Sequence, residues 1–353
     1  MILLHIHDEE RSPPVCRPLG DAWSVLGIPL EGAADVESCK LRHYLIDVEV
    51  KQAAEALRVR ALSRHLEEGG HRIFVCDRAD RHAVTQALSL GATHLIDRPV
   101  EDGELLRLLG NVQATGDDPP AFAAIGAVAL DLAFRSIEEG KALAPGYVES
   151  VAAGIGDDID RLGIESWLQS IRDHHDGTYQ HCLIVTGLAT AFGKELGLSA
   201  TDIGRLTVAA LLHDIGKAKV DLAILDKDGA LTPKERAEIE MHPVWGEQHL
   251  RAQASVDEEI LDAIRHHHEL LDGSGYPDRL AGARISDLTR LLTISDIFGA
   301  LVEQRSYKAP MSSASAYAII EDMAKTGKLE RALVRAFRPV AFQLRDRPAL
   351  KSA

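Results

Sequence analysis

Short apolar runs recur through the first hundred residues: ILLHI near the start, HYLIDV at 43–48, RIFVCD at 72–77 and HLIDRPV at 94–100. The segments between them carry helical apolar spacing, and strands alternating with helices predict an α/β unit built on a parallel sheet. Acidic residues mark two strand ends, Asp8 and Glu9 after the first run and Asp47 in the second. At GDDPPAF, residues 116–122, the strand pattern stops. A Pro-bearing hinge followed by helical periodicity makes residues 123–172 connector helices, broken once at APGY, 144–147, and the remainder reads as all-helical. The expected architecture is multidomain, α/β plus all-α: an α/β domain over 1–115, a helical connector over 116–174 and a helical domain over 175–345.

Helix punctuation in the last part is explicit. TPKE at 232–235 places Thr at the N-cap, Pro at N1 and Glu at N3, and SVDE at 255–258 repeats the form of a capping box. TDIGRLTVAALLHDIGK is apolar almost without interruption from Val208 to Leu212, which predicts a helix buried on most sides that delivers His213 and Asp214 at its C-terminal end. In ISDLTRLLTISDIFGALVEQR, Leu288, Leu291, Leu292 and Ile294 surround Asp296. An acid in such company requires a partner.

Composition narrows the chemistry. A chain of 353 residues with 39 Lys+Arg against 54 Asp+Glu has a formal charge of −15, which argues against a nucleic-acid polymer as ligand. A phosphate substrate would have to be held by a metal or a few placed cations. Cys16, Cys39, Cys76 and Cys182 form no C-x-x-C pair, so neither a disulfide framework nor a cysteine zinc site is indicated and a cytoplasmic location fits. The apolar run from Ala121 to Phe134 is interrupted by Asp131, and no membrane span is expected. Nine of the 16 histidines fall within about a hundred residues of the second half.

A site for first-row divalent ions needs imidazoles and carboxylates on rigid helices, with one carboxylate able to span two ions. His181, His213, Asp214, His242, His267, His268 and Asp296 are the candidates, and the adjacent pair His213–Asp214 is central because neighbouring side chains diverge. These residues stand in HDIGK at 213–217, HP at 242–243, HHELLDGSGYP at 267–277 and SD at 295–296. That order resembles the HD-GYP branch of the HD phosphohydrolase superfamily, over about residues 175–340. The resemblance implies an all-α domain with a binuclear centre, iron or manganese, that hydrolyses cyclic di-GMP to linear pGpG, with GMP as a further product. It implies that His181, His213, Asp214 and Asp296 hold one metal and that Asp214, His242, His267 and His268 hold the other. Lys217 and, in QRSYK, Arg305 and Lys308 would contact substrate phosphates.

Some positions depart from that family. Gly177 stands where three-metal members carry Glu, so two metals are expected; Gly299 replaces a common Asp and Ser306 a Pro, which puts substrate affinity in doubt more than metal binding. His174, His175, His249 and His266 are read as solvated or supporting, and Glu269 receives no metal role. The alternatives are a cyclic-dinucleotide sensor of weak or lost activity, or a phosphohydrolase of another cyclic dinucleotide. The N-terminal domain resembles a degenerate response-regulator receiver with Asp47 at the phosphoacceptor place, Arg98 where that family has Lys, and Cys76 and Asp77 where it has Ser or Thr. SPPVCRP at 12–18 would disturb its first helix. Such a module suits dimerisation or partner sensing, making a homodimer and a signalling partner the expected associations.

Overall fold

The computed structural model describes residues 2–7, 16–19, 23–29, 43–48, 59, 71–109, 121–140, 147–174, 177–225, 227, 229–253, 256–303 and 311–344. The chain divides into two compact units, Met1–Val128 and Ala129–Ala353.

The first unit is a six-stranded sheet: β1 (Ile2–His7), β2 (Cys16–Leu19), β3 (Trp23–Pro29), β4 (His43–Asp47), β5 (His71–Val75) and β6 (His94–Ile96), in the order β2-β3-β1-β4-β5-β6. All neighbouring pairs are parallel except β2 with β3. Without β2, the order is the doubly wound 2-1-3-4-5 arrangement of receiver-like folds. Tyr44, Leu45 and Ile46 are all buried, as a central parallel strand covered on both faces requires. Leu3, Leu45, Ile73, Val75 and Ile96 form one core with Leu105 and Leu109 of α2 (Asp102–Leu109), and α1 (Arg81–Ser89) is capped by Asp80.

The hairpin β2–β3 is not anticipated by the apolar pattern. Cys16–Leu19 forms an edge strand where a receiver's first helix would begin, and Pro18 in it is tolerated because an edge strand leaves one row of N–H groups unused. Asp8 and Glu9 lie outside the described residues. Asp47 ends the central strand with its carboxylate against Arg98, whose Nε donates at 3.0 Å, and 3.9 Å from His5 Nε2. Burial alone would raise the Asp47 carboxyl, but the His5 and Arg98 contacts outweigh it and hold the pKa at about 2.

The second unit is helical. α3 (Ala121–Glu139) starts in the first unit's span, and α4 (Tyr147–His174), α5 (Gly177–Glu195), α6 (Ala200–Leu212), α7 (Leu222–Leu225), α8 (Pro233–Ile239), α9 (His242–Arg251), α10 (Glu258–His266), α11 (Asp287–Val302), α12 (Ser313–Lys325) and α13 (Arg331–Phe342) follow. The break expected at 144–147 lies largely outside the described residues. A second interruption, at Gly163 with φ 78°, divides α4 where only glycine takes that backbone without strain. The later part of α4 packs on the helical unit: Trp167 is fully buried and its indole N–H donates to Leu183 O at 3.3 Å.

Every residue of α6 from Leu206 to Leu212 is buried, as its apolar run predicts. Thr190 of α5 meets Thr207 of α6 at 2.9 Å, and Phe337 of α13 packs edge-on against Phe192 and Phe298. Thr232 and Glu235 form the reciprocal capping box. Ser255 of the box expected at 255–258 lies outside the described residues; the N-cap of α10 is Asp257, whose carboxylate accepts from Glu259 N and so satisfies one spare donor of the first turn. Among the described residues no helix is long and apolar enough to cross a membrane.

Arg98→Ala should weaken the protection of β4 amides in hydrogen exchange by about 1 kcal/mol, discounted because the guanidinium is partly exposed. Asp47 is depressed below the ordinary value of about 3.9, so its contribution is present above that pH and lost on acidification toward about 2. The difference between the two proteins is therefore expected to be smaller at about pH 3 than at about pH 6.

Candidate metal centre

Helix ends bring the candidate residues together. His213 is the C-cap of α6, Asp214 precedes the 3-10 turn Ile215–Lys219, His242 opens α9, His267 is the C-cap of α10, His181 lies in the first turns of α5, and Asp296 sits within α11. All of these are buried, and His268 is partly so.

Three of the imidazoles are oriented by one device. Nδ1 of His213, His242 and His267 lies 2.7 Å from the main-chain oxygen of Ala210, Ile239 and Ile264 respectively, each three residues back in the last turn of a helix. Carbonyls there lack an intrahelical donor, and a carbonyl only accepts, so the proton resides on Nδ1. Nε2 of each ring then carries a lone pair turned inward.

The donor atoms fall into two groups, each with its members within 4.8 Å of one another: His181, His213 and Asp296; and Asp214, His242, His267 and His268. Asp214 faces both. Its Oδ2 is 3.4 Å from His213 Nε2 and 3.8 Å from His181 Nε2, while its Oδ1 is 3.1 Å from His242 Nε2 and 4.0 Å from His267 Nε2. The partner that Asp296 requires is His181, at 3.0 Å, with His268 Nδ1 at 3.5 Å.

This donor set fits cations. His242 Nε2 and His267 Nε2 approach to 3.3 Å with lone pairs facing each other, and His213 Nε2 and Asp214 Oδ1 are buried with no hydrogen-bond partner. Burial opposes charge on Asp214, Asp296, His267 and His268. Against it, Lys217 and His213 hold the Asp214 carboxyl well below its ordinary value, and His181 does the same for Asp296. His267 and His268 are pushed down, by burial and then by neighbouring histidines in the first case and with His268 at about 3, so both remain neutral and able to donate lone pairs. His181 is the exception: contacts to Asp296 and Glu303 outweigh burial and raise it to about 9.

Glycines set two close approaches. A Cβ on Gly216 would lie 1.9 Å from His242 O and 2.7 Å from Gly246 N, so only glycine lets α9 rest on the turn after Asp214. A Cβ on Gly275 would lie 2.4 Å from His268 O and 2.5 Å from Glu269 Cα, so the GYP loop can lie directly on the end of α10. Tyr276 then places its ring 4.6 Å from that of His268. Glu269, buried, accepts from Asp278 N at 2.7 Å and Leu280 N at 3.0 Å and pins the far side of the loop. His266 joins it, bridging Asp262 at 2.8 Å and Asp278 at 3.0 Å.

Lys217 Nζ donates to Asp214 Oδ2 at 2.5 Å, which places it beside the cluster. Arg305, Lys308 and Ser306 lie outside the described residues, as do His175 and the His174 side chain. His249 is engaged elsewhere, with Ser136 at 2.9 Å and Gln253 at 2.8 Å. Asp47 belongs to the other unit. Three residues near the site escape a reading by motif: Glu269, Glu303, and Cys182, whose Sγ lies within 4.8 Å of donor atoms of His213 and Asp214. Adjacency to His268 and His181 was the available signal for Glu269 and Cys182.

Residues 166–333 match the sequence profile of a family described as an HD domain. This segment is an HD domain. Its relatives include the cyclic di-GMP phosphodiesterase PA4108 of Pseudomonas aeruginosa, 35% identical over 171 residues that make up 48% of this chain and 41% of that one. The 3'3'-cGAMP-specific phosphodiesterase 3 of Vibrio cholerae is 43% identical over 129 residues, 36% of this chain and 28% of that one. The chain thus spans less than half the length of either relative. Among solved structures, Bd1817, an HDG"Y"P protein from Bdellovibrio bacteriovorus, superposes with a TM-score of 0.50 at 20% identity, over 65% of this chain and 74% of that one, and shares the fold of the HD domain.

Glu269→Ala would leave two loop N–H groups without their acceptor, each worth about 1–3 kcal/mol when buried. The expected result is a lower urea midpoint for the HD domain, with exchange protection lost first at the amides of Asp278 and Leu280.

Proposed function

We propose that the chain is a metal-dependent phosphodiesterase that opens cyclic di-GMP to linear pGpG, with the N-terminal unit regulating it. The observation that carries this reading is Asp214, one buried carboxylate with an oxygen turned to each of two donor groups. His181, His213, Asp214 and Asp296 would hold one divalent ion, and Asp214, His242, His267 and His268 the other. Imidazole and carboxylate donors without thiolate pairs suit iron or manganese. When bound, such ions supply a deprotonated water at neutral pH and withdraw charge from a phosphodiester.

The chain's own residues do the rest. The helix-end carbonyls keep the Nδ1 protons of three rings and so aim their lone pairs. Lys217, beside the cluster against Asp214, would offer its ammonium to a phosphate oxygen, and Arg305 and Lys308 would add charge for the second phosphate. The loop around Tyr276 walls the cluster on the side of His268. Regulation and dimerisation through the sheet unit rest on its receiver-like strand order. The Arg98 contact on Asp47 favours partner sensing over phosphorylation of that carboxylate. A cytoplasmic location is supported by Cys76 and Cys182, both free thiols.

A second substrate, 3'3'-cGAMP, is favoured by the 43% identity to a phosphodiesterase named for it. Protein loaded with Mn2+ or Fe2+ under reducing conditions should convert cyclic di-GMP to pGpG. Stripping with a chelator should stop the reaction and Asp214→Ala should remove it. Equal concentrations of the two dinucleotides in one assay rank them. Binding without turnover in the loaded protein would instead make the domain a sensor.

A further inference from the structure

His181 is held differently from the other imidazoles. His213, His242 and His267 each have a spare carbonyl at a helix C-terminus, but α5 begins at Gly177, so His181 lies near an N-terminus, where the spare groups are N–H donors. No carbonyl of its own helix is available to take the Nδ1 proton. The ring still has a fixed direction, with Nε2 toward the cluster, 3.0 Å from Asp296 and 3.8 Å from Asp214, and Nδ1 at an ion-pair distance of 3.3 Å from Glu303 Oε2, buried and without an aligned hydrogen bond to Glu303 itself or to any other acceptor among the described residues.

Glu303 comes from another helix. It is the C-cap of α11, with extended backbone (φ −66°, ψ 138°) and its N–H bonded to Gly299 O at 2.9 Å, and it is 6% exposed. Leaving the helical path at that residue turns its side chain back toward α5. One turn earlier, at Gly299, a Cβ would lie 2.9 Å from Val185 Cγ2 of α5, so that position is packed shut by apolar contact. A carboxylate for His181 can therefore arrive from the end of α11 and not from position 299 without repacking.

We propose that Glu303 is a positioning residue for His181: it accepts the Nδ1 proton, fixes the tautomer with the Nε2 lone pair toward the cations, and makes this ring a more basic ligand than the carbonyl-held ones. The inference rests on the metal-centre reading above. It concerns a residue outside the motifs and separates His181, backed by a carboxylate that is not itself in either donor group, from His213, His242 and His267, which are held by neutral carbonyls.

The test is Mn2+ affinity, by competition with a chelator, in the full chain and in Glu303→Ala and Glu303→Gln, with folding checked by circular dichroism. Glu303→Ala should weaken the tighter-responding site roughly 10- to 100-fold. Glu303→Gln, which keeps an acceptor but loses the charge, should lose roughly 3- to 10-fold. In Zn2+-loaded protein the His181 Nδ1 proton should resonate far downfield and disappear in Glu303→Ala. Affinity within about twofold of wild type in every variant that folds overturns the proposal. If wild type itself binds no Mn2+, the metal-centre reading fails first, and the two failures are thereby distinct.

Discussion

A carboxylate buried to 1% exposure controls the helical unit. Asp214 stays ionised because Lys217, His213 and His242 offset its burial, and with His181, His267, His268 and Asp296 the set around it arrives from five different places in the chain. The helices of the HD domain are arranged so that this happens. Three of them end where an imidazole can cap a spare carbonyl, and the elements with no such end, α5 and α11, supply His181 and Asp296 from their interiors. The usual penalty of an unsatisfied helix terminus is thereby converted into ring orientation.

The helical domain was legible to a useful depth because ligand-type residues there coincide with helix punctuation. HDIGK follows an unbroken apolar run, HP starts a helix with Pro in its first turn, and HHE ends one, so position along the chain already implied placement at helix ends. The partner of Asp296 was demanded by its apolar surroundings, though sequence could not name it. What stayed hidden depends on three-dimensional approach. Nothing in the spacing says that Glu303 faces His181, or that Glu269 holds two amides nine and eleven residues further on. Gly299 looked like a missing acid; in space it is a contact point between α11 and α5.

In the sheet unit four of the parallel strands, β1, β4, β5 and β6, were readable from apolar runs, whereas β3 and the edge strand paired with it were not. Cys16–Leu19 contains arginine and proline and lacks alternation, so its pairing is set by the neighbouring strand and not by its own propensity. The same unit shows how a charge changes an inherited geometry. Asp47 occupies the end of the central strand, yet a guanidinium engages it with two nitrogens, a geometry that an ammonium at position 98 could not reproduce.

The contact at Gly216 has a consequence for how such a centre could change over time. Because main chain touches main chain there, the separation between the two halves of the cluster is fixed by backbone and is out of reach of side-chain substitution. Exchanging a donor residue can alter which ion such a site would prefer, but it leaves the spacing of the two donor groups as it was. A lineage of such domains would then diversify by donor chemistry and by the loops around the mouth, with the internal ruler conserved as a property of one hydrogen atom where any other residue carries carbon.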